Sequence, residues 1–334
     1  MKMSQLSFYP LRFEPIFQYR LWGGRHLSHL VSAPLPEIGP IGEAWLLSDR
    51  EDHQSQVANG ALKGSTIGQL MEQYPEQLLG KFAGRFKRFP LLLKFLDVRE
   101  MLSVQVHPSD ANTDLLPPGE SGKTEAWVVL ESGSKSRIYA GLKPGTTEDN
   151  LHQSLLNGGV EEHLASFTPK PGDGILIPAG TVHALGGGMV VFEIQQNSDV
   201  TFRLYDWNHV DPKTSQPREL QVDKALACID FKAGAVNPVV PVSIEVKPAL
   251  RELLFQCKYF GLWRLHGESK FRIGKVNTPR VVVCIAGEGQ LVNEGNQYAI
   301  TKGDVVMLPA IVGACMCHPN GIITLLEISL PEGE

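Results

Sequence analysis

One segment of this chain recurs, with variation, 131 positions further on, and the repeat constrains the fold more than any other feature. Lys170-Pro-Gly-Asp-Gly-Ile-Leu-Ile-Pro178-Ala179 resembles Thr301-Lys-Gly-Asp-Val-Val-Met-Leu-Pro309-Ala310. Each copy is a Gly-Asp turn, an apolar strand and a proline stop. Two β-barrel modules are implied. The copies diverge just past the proline. The first continues Gly180-Thr-Val-His183; the second continues Ile311-Val312-Gly313-Ala314, with no histidine at the matching place. A metal at this position is therefore expected only in the first module.

The remainder of the chain agrees with a turn-rich β protein. Glycine and proline number 33 and 23 among 334 residues, above their usual combined share of about 12%. They are dispersed, which favours short strands over a helical bundle. A domain length of about 150 residues suggests two domains. The linker-like stretch 233–241 sets the boundary, giving 1–235 and 236–334. Strands are expected at 91–97, 101–106, 124–131, 137–141, 173–178, 189–196 and 200–206, then at 252–256, 260–265, 280–286, 289–292, 305–309 and 321–328. A small helical insert is expected over about 65–88. Ile67, Leu70, Met71 and Tyr74 follow helical spacing behind Ser65 and Thr66, and Pro75 ends or kinks that first helix. Further helices are expected at 147–157 and 219–228.

Charge and cysteine usage exclude several function classes. A net charge of −5 argues against a nucleic-acid or anionic-membrane partner. No apolar run approaches the ~18 residues of a membrane span. The N-terminal stretch lacks the apolar core of a signal peptide. Five cysteines, at 228, 257, 284, 315 and 317, show no framework spacing and fit a reduced, cytoplasmic compartment. Cys315-Met-Cys317-His318 reads as packing, and the basic cluster Lys81, Arg85, Lys87 and Arg88 as a solvated face. Gly186-Gly187-Gly188 lacks the Lys-Ser/Thr of a phosphate loop and reads as a hairpin turn.

Chemistry gathers elsewhere. Gln105 and His107 share one face of a strand end, and Lys123 and Glu125 share one face of the next strong strand. His183 follows the Pro178-x-Gly180 turn. Two imidazoles, a carboxylate and an amide oxygen suit a divalent transition metal with an open position; zinc fits, and manganese or iron remain open.

These residues resemble a known family. Gly172-Asp173…Pro178-Ala-Gly180-Thr-Val-His183 is similar to the second motif of the cupin barrel. Gln105-Val-His107-Pro108, Lys123-x-Glu125 and the run Glu193…Asn197-Ser-Asp199…Arg203 together resemble type I mannose-6-phosphate isomerases. Trp22-Gly-Gly, Gly42-Glu43-Ala-Trp45 and Lys94-Phe-Leu-Asp97 support the match. The resemblance implies a mainly β fold of two cupin-type (jelly-roll) barrels with the helical insert, in the compact form of the family. It implies one Zn²⁺ held by Gln105, His107, Glu125 and His183. Trp22, Glu43, Lys94, Ser103, Lys123, Glu193 and Arg203 are placed around the substrate. His209 and Gln221 depart from the family, which is expected to carry arginine and histidine there.

The implied reaction interconverts mannose 6-phosphate and fructose 6-phosphate through an enediol. Arg203 is expected to stabilise the enediolate. Lys123 and Glu193 are rival bases, and Asp199 orients Arg203 or the sugar hydroxyls. Lys94, Lys123 or Arg203 would meet the phosphate. The expected partner is a small sugar phosphate, and the expected assembly a monomer or homodimer. Two competing readings are a non-catalytic sugar-phosphate-binding regulator and a cupin oxygenase.

Overall fold

The computed structural model describes residues 7–331. Strands dominate, as expected, and the four largest sheets form two pairs. In the first pair, a six-stranded sheet runs Gly174–Ile177, Glu125–Ser132, Met189–Gln196, Leu91–Val98, Ile16–Gly24, Ile41–Leu47. The five-stranded sheet runs Leu164–Phe167, Arg137–Leu142, His183–Gly186, Val104–Val106, Phe202–Tyr205. Every pairing between these strands is antiparallel. Between the sheets lies an apolar interior that includes Trp127, Val129, Leu96, Val98, Leu185 and Val191.

Alternation along the strands explains where that interior stops. Trp127 and Val129 share the inward face of their strand with Glu125. Leu96 and Val98 share theirs with Lys94, Val191 and Met189 with Glu193, and Leu185 with His183. Each strand therefore contributes apolar residues to one end of the interior and a polar one to the other.

The opposite face of the six-stranded sheet is buried too. Leu93, Phe95, Val128, Phe192 and Ile194 join a second core with Leu254, Phe255, Val281, Val283, Leu326 and Ile328 from the C-terminal half. Burial on both faces accounts for the nearly unbroken apolar run Leu-Leu-Leu-Lys-Phe-Leu at 91–96.

In the C-terminal half, a seven-stranded and a four-stranded sheet share a core of Val282, Cys284, Leu291, Ile300, Cys315 and Cys317. The Cys-x-Cys pair is packing, as expected, and burial pushes its thiols up to about 11 at Cys315 and about 12 at Cys317. The edge of the seven-stranded sheet is Leu11–Arg12, which pairs with Val305–Leu308. The repeat is visible as one turn built twice. Gly172 and Gly303 take φ of 91° and 93°. Asp173 and Asp304 accept the backbone N–H of Lys170 and Thr301 at 2.8 and 2.7 Å. Only glycine adopts such φ without strain, and the aspartate satisfies the turn's free donor.

The helical insert differs from expectation at its end. Ile67–Gln73 begins at a Thr66/Gln69 capping box, and Pro75–Leu79 starts on its proline. The helical turns stop at Phe82, and 83–88 is irregular. Gly84, at φ 76°, and the start of the next strand beyond Pro90 leave no room for another turn. The basic side chains there are exposed, as expected, with Arg85 lying over the Phe82 and Phe86 rings. Backbone bonds from Ala310 to Leu78 and from Ile311 to Gln77 tie the insert to the C-terminal half. A second difference concerns Gly187 and Gly188. Their positive φ turns the chain from the five-stranded to the six-stranded sheet, so the flanking strands do not form a hairpin. Helices Glu148–Asn157 and Val222–Cys228 match their expected positions closely. Among the described residues no helix is long and apolar enough to cross a membrane.

Phe192 is fully buried between the two halves, with its ring 5.9 Å from that of Phe95 in an edge-to-face contact. Phe192→Ala is expected to lower the unfolding free energy by about 3–5 kcal/mol, measured by urea denaturation.

Candidate active site

The polar ends of the strands meet in two rows. In the six-stranded sheet, register places Trp127, Glu193, Lys94 and Trp45 side by side on adjacent strands. In the five-stranded sheet it places His183, Gln105 and Arg203 side by side. A cavity of about 490 Å³ lies between them. Ten of the residues expected at the site line it: Trp22, Glu43, Lys94, Ser103, Gln105, Lys123, Glu125, Glu193, Asp199 and Arg203. His107 and His183 complete the set beneath them, almost fully buried.

Glu125 is the centre of a tight cluster. Its Oε2 is 3.3 Å from His107 Nε2 and 2.8 Å from Lys123 Nζ, and its Oε1 is 3.3 Å from His183 Nε2. The far nitrogens of both rings donate to backbone carbonyls: His107 Nδ1 to Val200 at 2.9 Å and His183 Nδ1 to Thr181 at 2.8 Å. Those bonds leave the Nε2 lone pairs aimed at the carboxylate. The same turn that carries His183 also holds the His107 loop, because Gly180 N–H donates to the His107 carbonyl at 2.9 Å.

Electrostatics keep this cluster in a ligating form. Burial, then Lys123, pushes His107 down to about 3, and burial also lowers His183. Both imidazoles are therefore neutral near pH 7. Burial opposes ionising Glu125, but the Lys123 ammonium beside it outweighs that and holds its carboxyl well below the usual range. Neither Glu125 oxygen, buried as both are, meets a donor in hydrogen-bonding geometry. A buried carboxylate that accepts from neither of the two neutral imidazoles facing it fits a divalent cation, and the three ligating atoms lie within 4.8 Å of one another. Gln105 stands beside them, its Nε2 donating to His183 Nε2 at 3.2 Å and its Oε1 accepting from Ser103 Oγ at 3.3 Å. Ligation through the amide oxygen takes a flip of that planar group.

The opposite row is an ion-pair cage. Lys94, almost fully buried, has Glu193 at 3.3 Å, Glu43 at 3.8 Å and Asp199 at 3.9 Å. Burial disfavours its charge, yet Glu43 and Glu193 outweigh that and raise its pKa above the usual lysine value. Glu43 also accepts a fork from Arg20 at 3.0 and 3.1 Å and the Trp45 indole at 2.7 Å. Glu193 accepts the Trp127 indole at 2.9 Å, and burial raises its carboxyl. Asp199 pairs with Lys94 and makes no bond to Arg203 among the described residues. Arg203 Nη1 donates to the Glu219 carbonyl at 2.8 Å, while its Nε is buried without a partner. Gln221, one of the two departures from the family pattern, accepts the Arg203 backbone N–H at 3.0 Å. His209, the other, lies 3.8 Å from Asp206.

Eight lining residues escaped the sequence reading, among them Arg20, Tyr19 and Arg218. Arg20 sits two residues before Trp22 on the same strand face, a signal that alternation carries. Tyr19 and Arg218 belong to no recognisable motif, and Arg218 reaches the wall only through the loop after Phe202–Tyr205.

Residues 11–125 match the family described as phosphomannose isomerase type I, catalytic domain, and residues 252–321 the mannose-6-phosphate isomerase cupin domain. The chain is 36% identical to mannose-6-phosphate isomerase ManA of Bacillus subtilis, over 91% of this chain and 94% of that one. It is 31% identical to the Streptococcus mutans mannose-6-phosphate isomerase, over 90% and 92%. The crystal structure of a mannose 6-phosphate isomerase from B. subtilis superposes with a TM-score of 0.88 at 31% identity, covering 96% of this chain and 99% of that one.

Glu43 makes the cage pH-sensitive. Burial works against its ionisation, but Lys94 and Arg20 pull its pKa from 4.5 down to about 2. A carboxyl lowered on folding contributes stability that is complete above its unfolded pKa and is lost as pH falls through the folded one. Glu43→Gln is therefore expected to cost about 3 kcal/mol at pH 7. Urea unfolding of both proteins at a series of pH values should show that deficit roughly halved by about pH 3.

Proposed function

The chain belongs to the type I mannose-6-phosphate isomerase family, and we propose that its cavity interconverts mannose 6-phosphate and fructose 6-phosphate through an enediol. The observation that carries this reading is Glu125 between two neutral imidazoles at the floor of a cavity whose wall offers both a base and a guanidinium with no carboxylate partner among the described residues. We assign a divalent metal, zinc, to His107, Glu125, His183 and Gln105, a donor set that suits it. When bound it polarises the sugar carbonyl and lowers the cost of removing the neighbouring carbon proton.

The chain's own residues supply the rest. Glu193 is our choice of base over Lys123. Its carboxyl is raised by burial toward working pH, and the Trp127 indole fixes one oxygen while the residue faces the cavity. Lys123 is instead engaged with Glu125 and His107. Arg203 stabilises the negative oxygen of the enediolate, being the lining cation with no carboxylate partner among the described residues. Trp22, Glu43, Ser103 and Asp199 shape and hydrogen-bond the sugar. Lys94 acts mainly by holding Glu43, Glu193 and Asp199 in place, since those carboxylates surround its ammonium.

We also divide the chain at 235, taking 1–235 as the catalytic unit and 236–334 as a second unit without a metal. What supports this is that the first two sheets use residues 16–205 and the second pair, apart from Leu11–Arg12, residues 242–329. The oxygenase reading has little support, because the cluster contains only two imidazoles among the described residues.

Metal-loaded protein is expected to form fructose 6-phosphate from mannose 6-phosphate in a coupled assay; no product would refute the reading. Glu193→Gln should lower kcat by about 10²–10⁴-fold with metal content unchanged. His183→Ala should lose metal and turnover together, read by elemental analysis beside the assay. Full activity in a metal-free variant would reject the assigned ligands.

A further inference from the structure

The inward face of the strand Met189–Gln196 carries Met189, Val191 and Glu193, and alternation adds Gln195. Gln195 is fully buried and pairs in register with Leu92 on one neighbouring strand and with Glu125 on the other. It does not line the cavity. An amide is an unfavourable choice for such a place. Its oxygen Oε1 is buried without a hydrogen-bond partner, and an unsatisfied buried acceptor is destabilising. An aliphatic side chain would fill the same space without that loss. What offsets it lies at the other end of the amide.

The Gln195 amide nitrogen donates to two carbonyls of the turn that ends its strand, that of Gln196 at 3.2 Å and that of Ser198. The two carbonyls fix which end of the amide is which, since only the nitrogen can donate to them. The Ser198 carbonyl has no other donor among the described residues. The near side of the turn is held separately: the Asn197 N–H donates to the Pro90 carbonyl at 2.9 Å, and the buried Ser198 hydroxyl donates to the Ser121 carbonyl at 2.8 Å. Beyond Ser198 the chain runs to the site. Asp199 reaches Lys94 at 3.9 Å, and the Val200 carbonyl accepts His107 Nδ1 at 2.9 Å. The Ser198 carbonyl and the Asp199 N–H belong to one rigid peptide plane. A hydrogen bond to that carbonyl therefore sets the direction in which the chain leaves for Val200. The Val200 N–H bond to the Ser198 hydroxyl, at 3.4 Å, is a longer and weaker tie.

We propose that Gln195 is a positioning residue of the metal centre: its buried amide clamps the Gln196–Ser198 turn so that the Val200 carbonyl holds the His107 ring with Nε2 turned to the metal. The proposal rests on His107 being a metal ligand. The partner of a ligating histidine's second nitrogen fixes its tautomer and orientation, and losing that partner weakens metal binding roughly ten- to hundredfold. Gln195 acts one step further back, which places its effect at the lower end.

Zinc is the probe. Its dissociation constant is measured by competition between the metal-loaded protein and a chromophoric chelator, beside turnover at limiting and at saturating zinc. Gln195→Met keeps the shape, removes the donor and should weaken zinc binding about tenfold. With zinc saturating, kcat and KM for mannose 6-phosphate should both return to within about threefold of wild type. A residue that served the fold alone would lower the urea midpoint and leave the zinc affinity of the folded protein unchanged; that result overturns the proposal, as does a kcat loss that saturating zinc does not restore. Should Gln195→Met not fold, Gln195→Asn, an amide one methylene too short to span both carbonyls, gives the same readout. A wild-type protein that holds no zinc would sink the ligand assignment and the clamp together. Zinc binding that depends on Gln195, without fructose 6-phosphate from the loaded wild type, would sink the isomerase reading and leave the clamp standing.

Discussion

Charge inside the first pair of sheets is tolerated only because it is paired residue by residue, and the rest of the structure depends on that pairing. Taking an isolated ion out of water costs several kcal/mol even after relaxation. Lys94 is surrounded by Glu43, Glu193 and Asp199, and Arg20 shares Glu43. Lys123 offsets Glu125. Strand register puts these partners next to one another, since Glu193 pairs directly with Lys94 on one side and Trp127 on the other. A one-residue slip would turn the whole set to the opposite face. The apolar half of each strand guards against the slip, because it would expel Trp127, Leu96 and Val191 from the interior at the same time.

The rigidity of the site follows from what lies behind it. The six-stranded sheet is covered on its outer face by the C-terminal half and by the helical insert. Neither contributes a residue to the cavity wall. Their part is mechanical: Phe95, Phe192 and Ile194 are held from behind, and Lys94 and Glu193 between them point inward with no freedom to trade faces.

Much of this was legible in the sequence, and the boundary of legibility has a physical cause. The repeated Gly-Asp turn could be read because a glycine at positive φ and an aspartate accepting a backbone N–H are local needs. His107, Glu125 and His183 could be read because alternation and a Pro-x-Gly turn fix the side of the chain each occupies. The helix at 67–79 showed a cap and periodicity, and the one at 148–157 its opening acids and closing glycines. What escaped depends on partners distant in sequence. Arg20 matters through Glu43, and Arg218 through the hairpin of Val210–Asp211 and Gln216–Pro217, which rests on Tyr19. Gly187 and Gly188 looked like a hairpin because a tight turn between two strands reads the same whether they pair or part to different sheets. The extent of the helical insert failed at its end, where Gly84 and Pro90 outweighed the apolar spacing.

The short strand Leu11–Arg12 bears on how the two halves live together. It leaves the N-terminal half, pairs with Val305–Leu308 and sends Arg12 to Asp304 at 2.6 Å, within the second copy of the repeated turn. The half that lost its histidine thus borrows an edge from the half that kept it, and closes over the back of its working sheet. The connection is a clasp rather than a hinge. Cutting the chain between the halves would not release two modules: one would keep a naked apolar sheet face, and the other would lack an edge strand.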